Sequence, residues 1–494
     1  MRICLINPPR IQPKLWGNLG ILQPLDIAYV AALLEKQHEV RIIDAANEGW
    51  KNFEHIDETR CRQGLKNKEI EDRIKKWLPD VVGITISFSG WWKTAYEVAS
   101  TVKNVDNDIT TVLNGLHPSA KPVECLKQPN TDFVVIGEPE YTTLELVEAL
   151  EHGTTNDFKK VKGIGYIKDG EPVVTPPRPP IQDLDGLPFP ARHLLPMETY
   201  FAAVKEIPPR GEINKRWTTM LTSRGCPYNC IFCSIHTVMG KQWRARSPEN
   251  VVEEIEQVVR DYRIKQLDFV DENMTLDKKR METICDLIIE KKLNIEWFTP
   301  NGVRADTLDE NLLKKMKASG CKKIRVAPES GVQRVVDQII KKNLDLREVE
   351  KAVALSKKVG IKVGCFFVIG LIGETKKDIE ESINFAQKLR RLGADGFYFS
   401  YATPVYGTEL YEQAKRGGFI RDCFSDDALA EAQPLIETPE FTADELRELC
   451  ARAIAVNPTF TRDKLVKAFR DPKKAVKVLL GKKGTPSKQE SSET

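Results

Sequence analysis

Short apolar runs alternate with helical segments in two separate blocks of this 494-residue chain. Residues 1–150 contain five such runs, among them "RICLIN", "DVVGITIS" and "FVVIGE". Strands that alternate with helices predict a parallel, doubly wound sheet, which binds ligands in the loops beyond the carboxyl ends of its strands. No G-x-G-x-x-G motif follows the first run, which argues against a nicotinamide dinucleotide. We therefore predict a Rossmann-like α/β domain over 1–150 with a different ligand.

The second block, residues 213–415, has six further apolar runs, from "TTMLTS" to "GFYFSYA", separated by helical segments. This pattern predicts a partial (β/α)6 barrel, two strands short of a full β/α barrel. The proline-rich stretch 151–212 is predicted to be an ordered linker without regular elements. We expect residues 416–480 to form a small helical C-terminal region and 481–494 to be a disordered tail.

Composition excludes several classes of protein. Apolar residues make up 41% of the chain and the net charge is only +3, so nothing global indicates nucleic-acid binding. No run approaches the ~20 apolar residues of a membrane span. Eight cysteines are scattered singly, as in a reducing compartment, and we expect a cytoplasmic protein. The basic stretch between Arg462 and Gly484 would allow weak contact with an anionic membrane surface, although a solvated helix explains it more simply.

The remaining three cysteines lie together in "SRGCPYNCIFCSIH", directly after the first strand of the second block. Cys226, Cys230 and Cys233 can converge on one metal site, for which there are two candidates. Tetrahedral zinc would need a fourth ligand, which His236 could supply. A [4Fe–4S] cluster held by only three thiolates would keep one iron open for a substrate or cofactor.

Polar residues also follow the later strands of this block. Carboxylates and an amide can bind an ammonium group and ribose hydroxyls, an arginine can bind a carboxylate, and glycines let backbone approach a flat ring. These are the groups of S-adenosylmethionine (SAM). The residues in question are Asp271, Glu272, Asn273, Arg304, Glu329, Ser330, Gly370, Gly373 and Glu374.

The motif C-x3-C-x2-C, with Phe232 before its last cysteine, resembles the signature of the radical SAM superfamily. The resemblance continues through "FVDEN", "ESG" and "GLIGETKKDIEESI". The N-terminal half, with "NPP", "NGLHPSA" and "GEPE", is similar to the cobalamin-binding domain that precedes the radical SAM domain in class B enzymes. Together these similarities cover residues 1–415.

The resemblance implies roles for individual residues. The three cysteines would ligate three irons, and SAM would bind the fourth. SAM contacts are expected from Asp271, Glu272 and Asn273 (amino group), Arg304 (carboxylate), Glu329 and Ser330 (ribose), and Ile369, Gly370 and Gly373 (adenine). Cobalamin contacts are expected from the loops that carry Ser87, Ser89, Gly115, His117, Gly137 and Glu138. The D-x-H-x-x-G motif of many cobalamin proteins is absent, so we do not expect His117 to ligate cobalt.

As a function, the resemblance implies methylation of an unactivated carbon through a 5′-deoxyadenosyl radical and methylcobalamin. The substrate is an unidentified organic compound, and an external one-electron donor such as a ferredoxin or flavodoxin is implied. Two alternatives remain: a radical SAM cyclase or other C–C bond-forming enzyme without net methyl transfer, and a non-enzymatic zinc-binding module. Tyr398, Tyr401 and Tyr406 are candidates to line the substrate cavity, with core packing as the other explanation.

Overall fold

The computed structural model describes residues 1–14, 22–153, 157–206 and 215–457. As far as residue 206 the strands are β1 Arg2–Asn7, β2 Arg10–Pro13, β3 Glu39–Asp44, β4 Phe53–His55, β5 Arg60–Gln63, β6 Val81–Thr85, β7 Thr110–Asn114, β8 Phe133–Val135, β9 Ile164–Lys168 and β10 Glu171–Val174. The helices are α1 Leu25–Leu34, α2 Ala45–Glu48, α3 Asn67–Trp77, α4 Trp92–Val105, α5 Leu116–Ala120, α6 Pro122–Leu126, α7 Pro139–His152 and α8 Met197–Glu206.

From residue 215 onward the strands are β11 Trp217–Met220, β12 Ser223–Arg224, β13 Arg244–Ala245, β14 Gln266–Phe269, β15 Glu296–Phe298, β16 Cys321–Glu329, β17 Lys362–Ile369 and β18 Gly396–Tyr401. The helices are α9 His236–Met239, α10 Pro248–Tyr262, α11 Lys278–Glu290, α12 Glu310–Ala318, α13 Leu346–Val359, α14 Lys376–Leu392, α15 Glu409–Arg416 and α16 Ala443–Ile454.

The first sheet has seven strands in the order β10-β9-β8-β7-β6-β1-β3. Its five predicted strands (β1, β3, β6, β7 and β8) pair in parallel. Helices α3 and α4 pack on one face and α1 and α7 on the other, which confirms the doubly wound α/β domain. The strand order reverses between β1 and β6, and this is where such sheets bind their ligands.

The second sheet has six strands in sequence order, β11-β14-β15-β16-β17-β18, and every adjacent pair is parallel. All six are the strands predicted from the apolar runs. The helices between them cover one face of the sheet and form the largest apolar core with it. Helix α10 shows why: Ser247 accepts a hydrogen bond from Asn250 N at its start, Pro248 occupies its first position, and Val251 and Ile255 on one face are fully buried.

The stretch 151–212 contains more regular structure than we predicted. Strands β9 and β10 extend the first sheet as an antiparallel pair, so this sheet continues to Val174. Pro172 is tolerated because β10 is an edge strand, where a missing N–H breaks no ladder. Helix α8 buries Tyr200 and Phe201 in the core of the second sheet. The predicted C-terminal region is described only as far as residue 457, so the basic stretch and the tail lie outside the described residues.

Candidate cofactor-binding site

The three predicted metal-binding cysteines lie in a loop at the carboxyl edge of the second sheet. The short antiparallel pair β12–β13 closes the base of this loop. Gly225 precedes the first cysteine at φ +78°, and a Cβ there would lie 2.3 Å from the carbonyl oxygen of Gln242. The middle of the loop is held by buried Ile231, whose N–H donates to Ile340 O and whose carbonyl accepts from Leu410 N. The polar loop is therefore fixed by backbone contacts before any cofactor is considered.

The thiols are half-exposed, and burial raises the pKa of Cys230 to about 12 and that of Cys233 to about 11. Within the described ranges, no three His, Cys, Asp or Glu side chains are close enough to share a single metal ion. His236, the proposed fourth zinc ligand, has its Nε2 at 2.9 Å from the carbonyl oxygen of Cys226. Because its Nε2 is engaged by this carbonyl, His236 is not free to be a fourth zinc ligand, and the arrangement fits a three-thiolate cluster better than zinc.

The three residues after β14 have different surroundings. Asp271 accepts hydrogen bonds from the Oγ atoms of Thr222 and Ser223, at 2.7 and 2.6 Å, so it anchors the start of the cysteine loop. Glu272 Oε2 is buried without a hydrogen-bond partner, and burial raises the pKa of Glu272 to about 8. Both side-chain polar atoms of Asn273 are also buried and unpartnered. Glu272 Oε2 and Asn273 Oδ1 therefore fit an incoming ammonium group, because such a cation would donate the hydrogen bonds that these two oxygens lack, while Asn273 Nδ2 is left to donate to an acceptor.

Arg304 is engaged within the protein rather than directed at an empty space. Its guanidinium forms an ion pair with Asp306, donates to the carbonyl oxygens of Lys342 and Asn343, and lies 3.6 Å from the ring centroid of Tyr228. Four hydrogen bonds use most of its five N–H donors. Arg304 therefore holds the cysteine loop through Tyr228, and its contact with the SAM carboxylate stays a prediction.

The ribose and adenine candidates lie at the ends of β16 and β17. Glu329 has φ +66° and accepts a hydrogen bond from Lys342 Nζ at 2.7 Å, while Ser330 Oγ is 3.0 Å from Ser382 Oγ. Strand β17 ends at buried Ile369, and Gly370 (φ +86°) then donates its N–H to Glu374 Oε2.

Glu374 was noted in the sequence for its position alone, and the structure shows it to be unusual. Burial raises its pKa to about 8, and its Oε1 is buried without a partner. Gly373, the remaining adenine candidate, turns the chain just before it at φ +85°. This strand end thus offers backbone and one carboxylate oxygen to a ligand.

The predicted cobalamin loops leave three buried polar atoms without partners at the edge of the first sheet. They are Ser89 Oγ after β6, Asn114 Oδ1 at the end of β7, and His117 Nδ1 in α5. Burial lowers the pKa of His117 to about 4, so this imidazole is neutral at physiological pH. Gly115 turns the chain between them at φ +105°. Cobalamin carries many amide side chains, and such groups could satisfy all three atoms, so this edge fits the cofactor.

The other cobalamin candidates differ from one another. Ser87 is exposed and lies 3.4 Å from Asp26, and Gly137 (φ +82°) donates its N–H to Ser119 Oγ. The Glu138 carboxylate forms ion pairs with two buried arginines of the second domain, Arg224 at 3.1 Å and Arg244 at 2.8 Å. It joins the two domains, and the cobalamin contact expected from its loop stays a prediction.

The three tyrosines predicted as candidates for the substrate cavity have different surroundings. Tyr398 lies on the face of β18 away from the helices and is 39% exposed, whereas Tyr401 packs against α16 beside Cys450. Tyr401 is therefore a core residue and the cavity prediction for it is wrong. Tyr406 is buried 6.1 Å from the ring of His117 and donates a hydrogen bond to Asp426. It lies between the domains.

The carboxyl edges of the two sheets face each other. Helix α9 of the cysteine loop contacts α5, which carries His117. A 3-10 turn at Asp427–Glu431 packs on the loop after β6, where a Cβ on Gly90 would lie 2.9 Å from Ala430 Cβ. Sequence reasoning missed this turn and Tyr228, because both act through partners that are distant in the chain. Arg224 and Arg244 pair with each other across β12 and β13, which only the structure shows.

The fold and the site define a two-domain α/β protein. The loop with the three cysteines belongs to the second domain and faces the edge of the first sheet that carries Ser89, Asn114 and His117. Two family models match this chain: "B12 binding domain" over residues 19–147 and "Radical SAM superfamily" over residues 220–386. An uncharacterized methyltransferase of Pyrococcus horikoshii is 34% identical over 456 residues, 92% of this chain and 91% of the relative. Cytidylyl-2-hydroxyethylphosphonate methyltransferase of Streptomyces wedmorensis is 31% identical over 460 residues, 87% and 85% of the two chains. The chain belongs to the radical SAM enzymes that carry an N-terminal B12-binding domain.

A solved structure agrees with this fold. The cobalamin-dependent S-adenosylmethionine radical enzyme OxsB, with aqua-cobalamin and S-adenosylmethionine bound, superposes with a TM-score of 0.68 at 16% identity, covering 97% of this chain and 70% of the other. The cofactors of the present enzyme are accordingly SAM, a [4Fe–4S] cluster and cobalamin. Within the described residues, no helix is long and apolar enough to cross a membrane.

Proposed function

We propose that this enzyme methylates an unactivated carbon of an organic substrate. The observation that carries the proposal is that buried polar atoms without hydrogen-bond partners occur at both sheet edges. Glu272 and Asn273 carry such atoms beside the cysteine loop, and Ser89 and His117 carry them at the facing edge of the first sheet. When bound, the cluster and SAM supply hydrogen-atom abstraction from carbon, and cobalamin supplies the methyl group. We place the end of the first domain near residue 174, where its sheet ends, and the end of the second near residue 415.

The chain's own residues hold these cofactors in position. Cys226, Cys230 and Cys233 are the ligands that we assign to the cluster. Glu272 and Asn273 would bind the SAM amino group, Ser330 and Gly370 would border its ribose and adenine, and Asp271 and Arg304 position the loop. Because Glu272 is enclosed, its carboxylate gains most from a cation that arrives with the ligand.

The two domains pack against each other through an apolar cluster beside the two edges. Tyr406, Leu429 and Leu435 form an apolar cluster there, with Phe88 of the first domain packed against it. The buried ion pairs of Glu138 fix how close the two edges come. An enclosed, fixed geometry favours radical chemistry because it prevents side reactions.

The electron would come from an external one-electron donor such as a ferredoxin or flavodoxin, and we propose a cytoplasmic location. We propose no nucleic-acid partner. The basic stretch 462–484 remains a candidate for weak contact with a membrane surface.

The test incubates the anaerobically reconstituted enzyme with the probe cytidylyl-2-hydroxyethylphosphonate and SAM labelled in its methyl group. The amounts of 5′-deoxyadenosine, S-adenosylhomocysteine and labelled product are then compared. Methylation predicts equal amounts of 5′-deoxyadenosine and S-adenosylhomocysteine, and a product heavier by one labelled methyl in place of hydrogen. 5′-Deoxyadenosine without S-adenosylhomocysteine would favour the cyclase alternative. If the probe does not react, the same balance is measured with a metabolite extract, and absence of labelled methylated product there would contradict the proposal.

A further inference from the structure

Arg325 lies on the inner face of the second sheet, the face opposite to the helices. Its neighbours along β16, Ile324 and Val326, pack into the core between sheet and helices, so the alternation of a strand turns Arg325 the other way. Phe366 on β17 pairs in register with Tyr398 on β18, and both rings lie against Arg325. The three side chains thus form one patch on the face of the sheet opposite to the helices.

Arg325 is only 7% exposed, and its guanidinium has few partners. It donates to Pro300 O at 2.9 Å and approaches Tyr398 Oη at 3.5 Å, and its centre lies 4.6 Å and 5.1 Å from the Tyr398 and Phe366 ring centroids. No carboxylate of the described residues pairs with it. At most two of its five N–H donors are used, and an enclosed arginine without a counter-ion destabilises the protein unless an anion completes it.

The absence of a side chain at Gly364 keeps the space beside the guanidinium clear. Gly364 lies on the same face, and a Cβ there would come within 3.3 Å of both Arg325 Cγ and Tyr398 Cε2. Tyr398, at 39% exposed, leaves the patch open on one side.

We propose that Arg325, with Tyr398 and Phe366, binds an oxyanion of the substrate, either a carboxylate or a phosphoryl group. This inference rests on the proposed function, because it assumes that the substrate enters the inner face of the second sheet. Arg325 precedes Glu329 by four residues, which places it roughly 13 Å along the strand from the edge where SAM would bind. The substrate is therefore an anion whose charged group is remote from the reacting carbon.

The test is calorimetric binding of three probes of similar size to the anaerobically reconstituted enzyme. The probes are 2-hydroxyethylphosphonate, 3-hydroxypropionate and neutral 1,3-propanediol. We expect at least one of the two anions to bind and the neutral diol not to bind. Arg325→Gln should weaken anion binding at least tenfold, Arg325→Lys should weaken it less, and Arg260→Gln, a change of an exposed arginine on α10, should leave it unaltered.

The preference between the two anions identifies the charged group as phosphoryl or carboxylate. If Arg325→Gln does not fold, Gly364→Ala keeps the guanidinium but narrows the patch, and it should weaken anion binding several-fold. Equal anion affinity in Arg325→Gln and wild type, equal affinity for the diol, or no binding of either anion to wild type would overturn the inference. Formation of 5′-deoxyadenosine by the wild-type preparation is measured alongside, since its failure would contradict the proposed function and not the anion site.

Discussion

The carboxyl edges of the two sheets face each other, but their polar side chains are held in different ways. At the edge of the second sheet, Asp271, Arg304 and Glu329 are fixed by hydrogen bonds, and the unpartnered atoms are concentrated in Glu272, Asn273 and Glu374. At the edge of the first sheet, Ser89, Asn114 and His117 each have one enclosed polar atom without a hydrogen-bond partner. The edge of the second sheet is therefore preorganised. The edge of the first sheet is completed by the cofactor that binds there and by the turn at Asp427–Glu431.

The largest expected effect comes from the metal ligands. Changing Cys226, Cys230 or Cys233 to alanine should reduce the iron content to background and abolish SAM cleavage, because a cluster with two thiolates is not retained. Cobalt content after cobalamin loading should be unchanged, since the other edge does not use the thiols. His236→Ala is the matched control and should keep its iron. Loss of iron in His236→Ala would instead support a site closed by that histidine.

The buried ion pairs that join the domains come next. Glu138→Gln leaves Arg224 and Arg244 enclosed with fewer counter-charges, and breaking such a pair destabilises by about 3 kcal/mol. Thermal unfolding should begin at a lower temperature, while iron content at low temperature stays normal. Glu145→Gln removes a carboxylate that is paired with Arg178 near the surface and should change the unfolding temperature little. Equal effects of the two changes would contradict the joining role of Glu138.

Glu272 tests the preorganised edge. Glu272→Gln removes the charge that we assign to the SAM amino group, and the affinity for SAM should fall roughly tenfold. Isothermal calorimetry of the reconstituted enzyme measures this directly. Glu290→Gln, at the exposed end of α11, is the control. An unchanged SAM affinity in Glu272→Gln would remove this residue from the site.

The smallest expected effect concerns Ser89, at the edge of the first sheet, and the direction of the change in stability is what matters. Ser89→Ala removes a buried hydroxyl that has no partner in the protein, so the cobalamin-free enzyme should become slightly more stable. If the hydroxyl contacts cobalamin, the affinity for cobalamin should fall about fivefold. Thermal unfolding without cobalamin and a binding titration with it check the two halves separately. A loss of stability in the cobalamin-free variant would show that Ser89 is structural.

The sequence was sufficient for the strands and for the class of site, because both depend on local patterns. All five parallel strands of the first sheet and all six of the second follow from apolar runs. It was insufficient where the role of a side chain depends on partners far along the chain. Glu138 follows a strand end as a ligand residue would, yet its position beside Arg224 and Arg244 depends on the packing of the two domains. Tyr401 and Tyr398 differ only by which face of β18 they occupy, and that face is set by α16.

The central claim is that the three cysteines hold an iron–sulfur cluster opposite a cobalamin. The most direct measurement is the iron, sulfide, cobalt and zinc content of protein purified without oxygen and reconstituted with cobalamin. We predict about four irons, about four sulfides and about one cobalt per chain. One zinc without iron would contradict the claim, and iron without cobalt would contradict its second half.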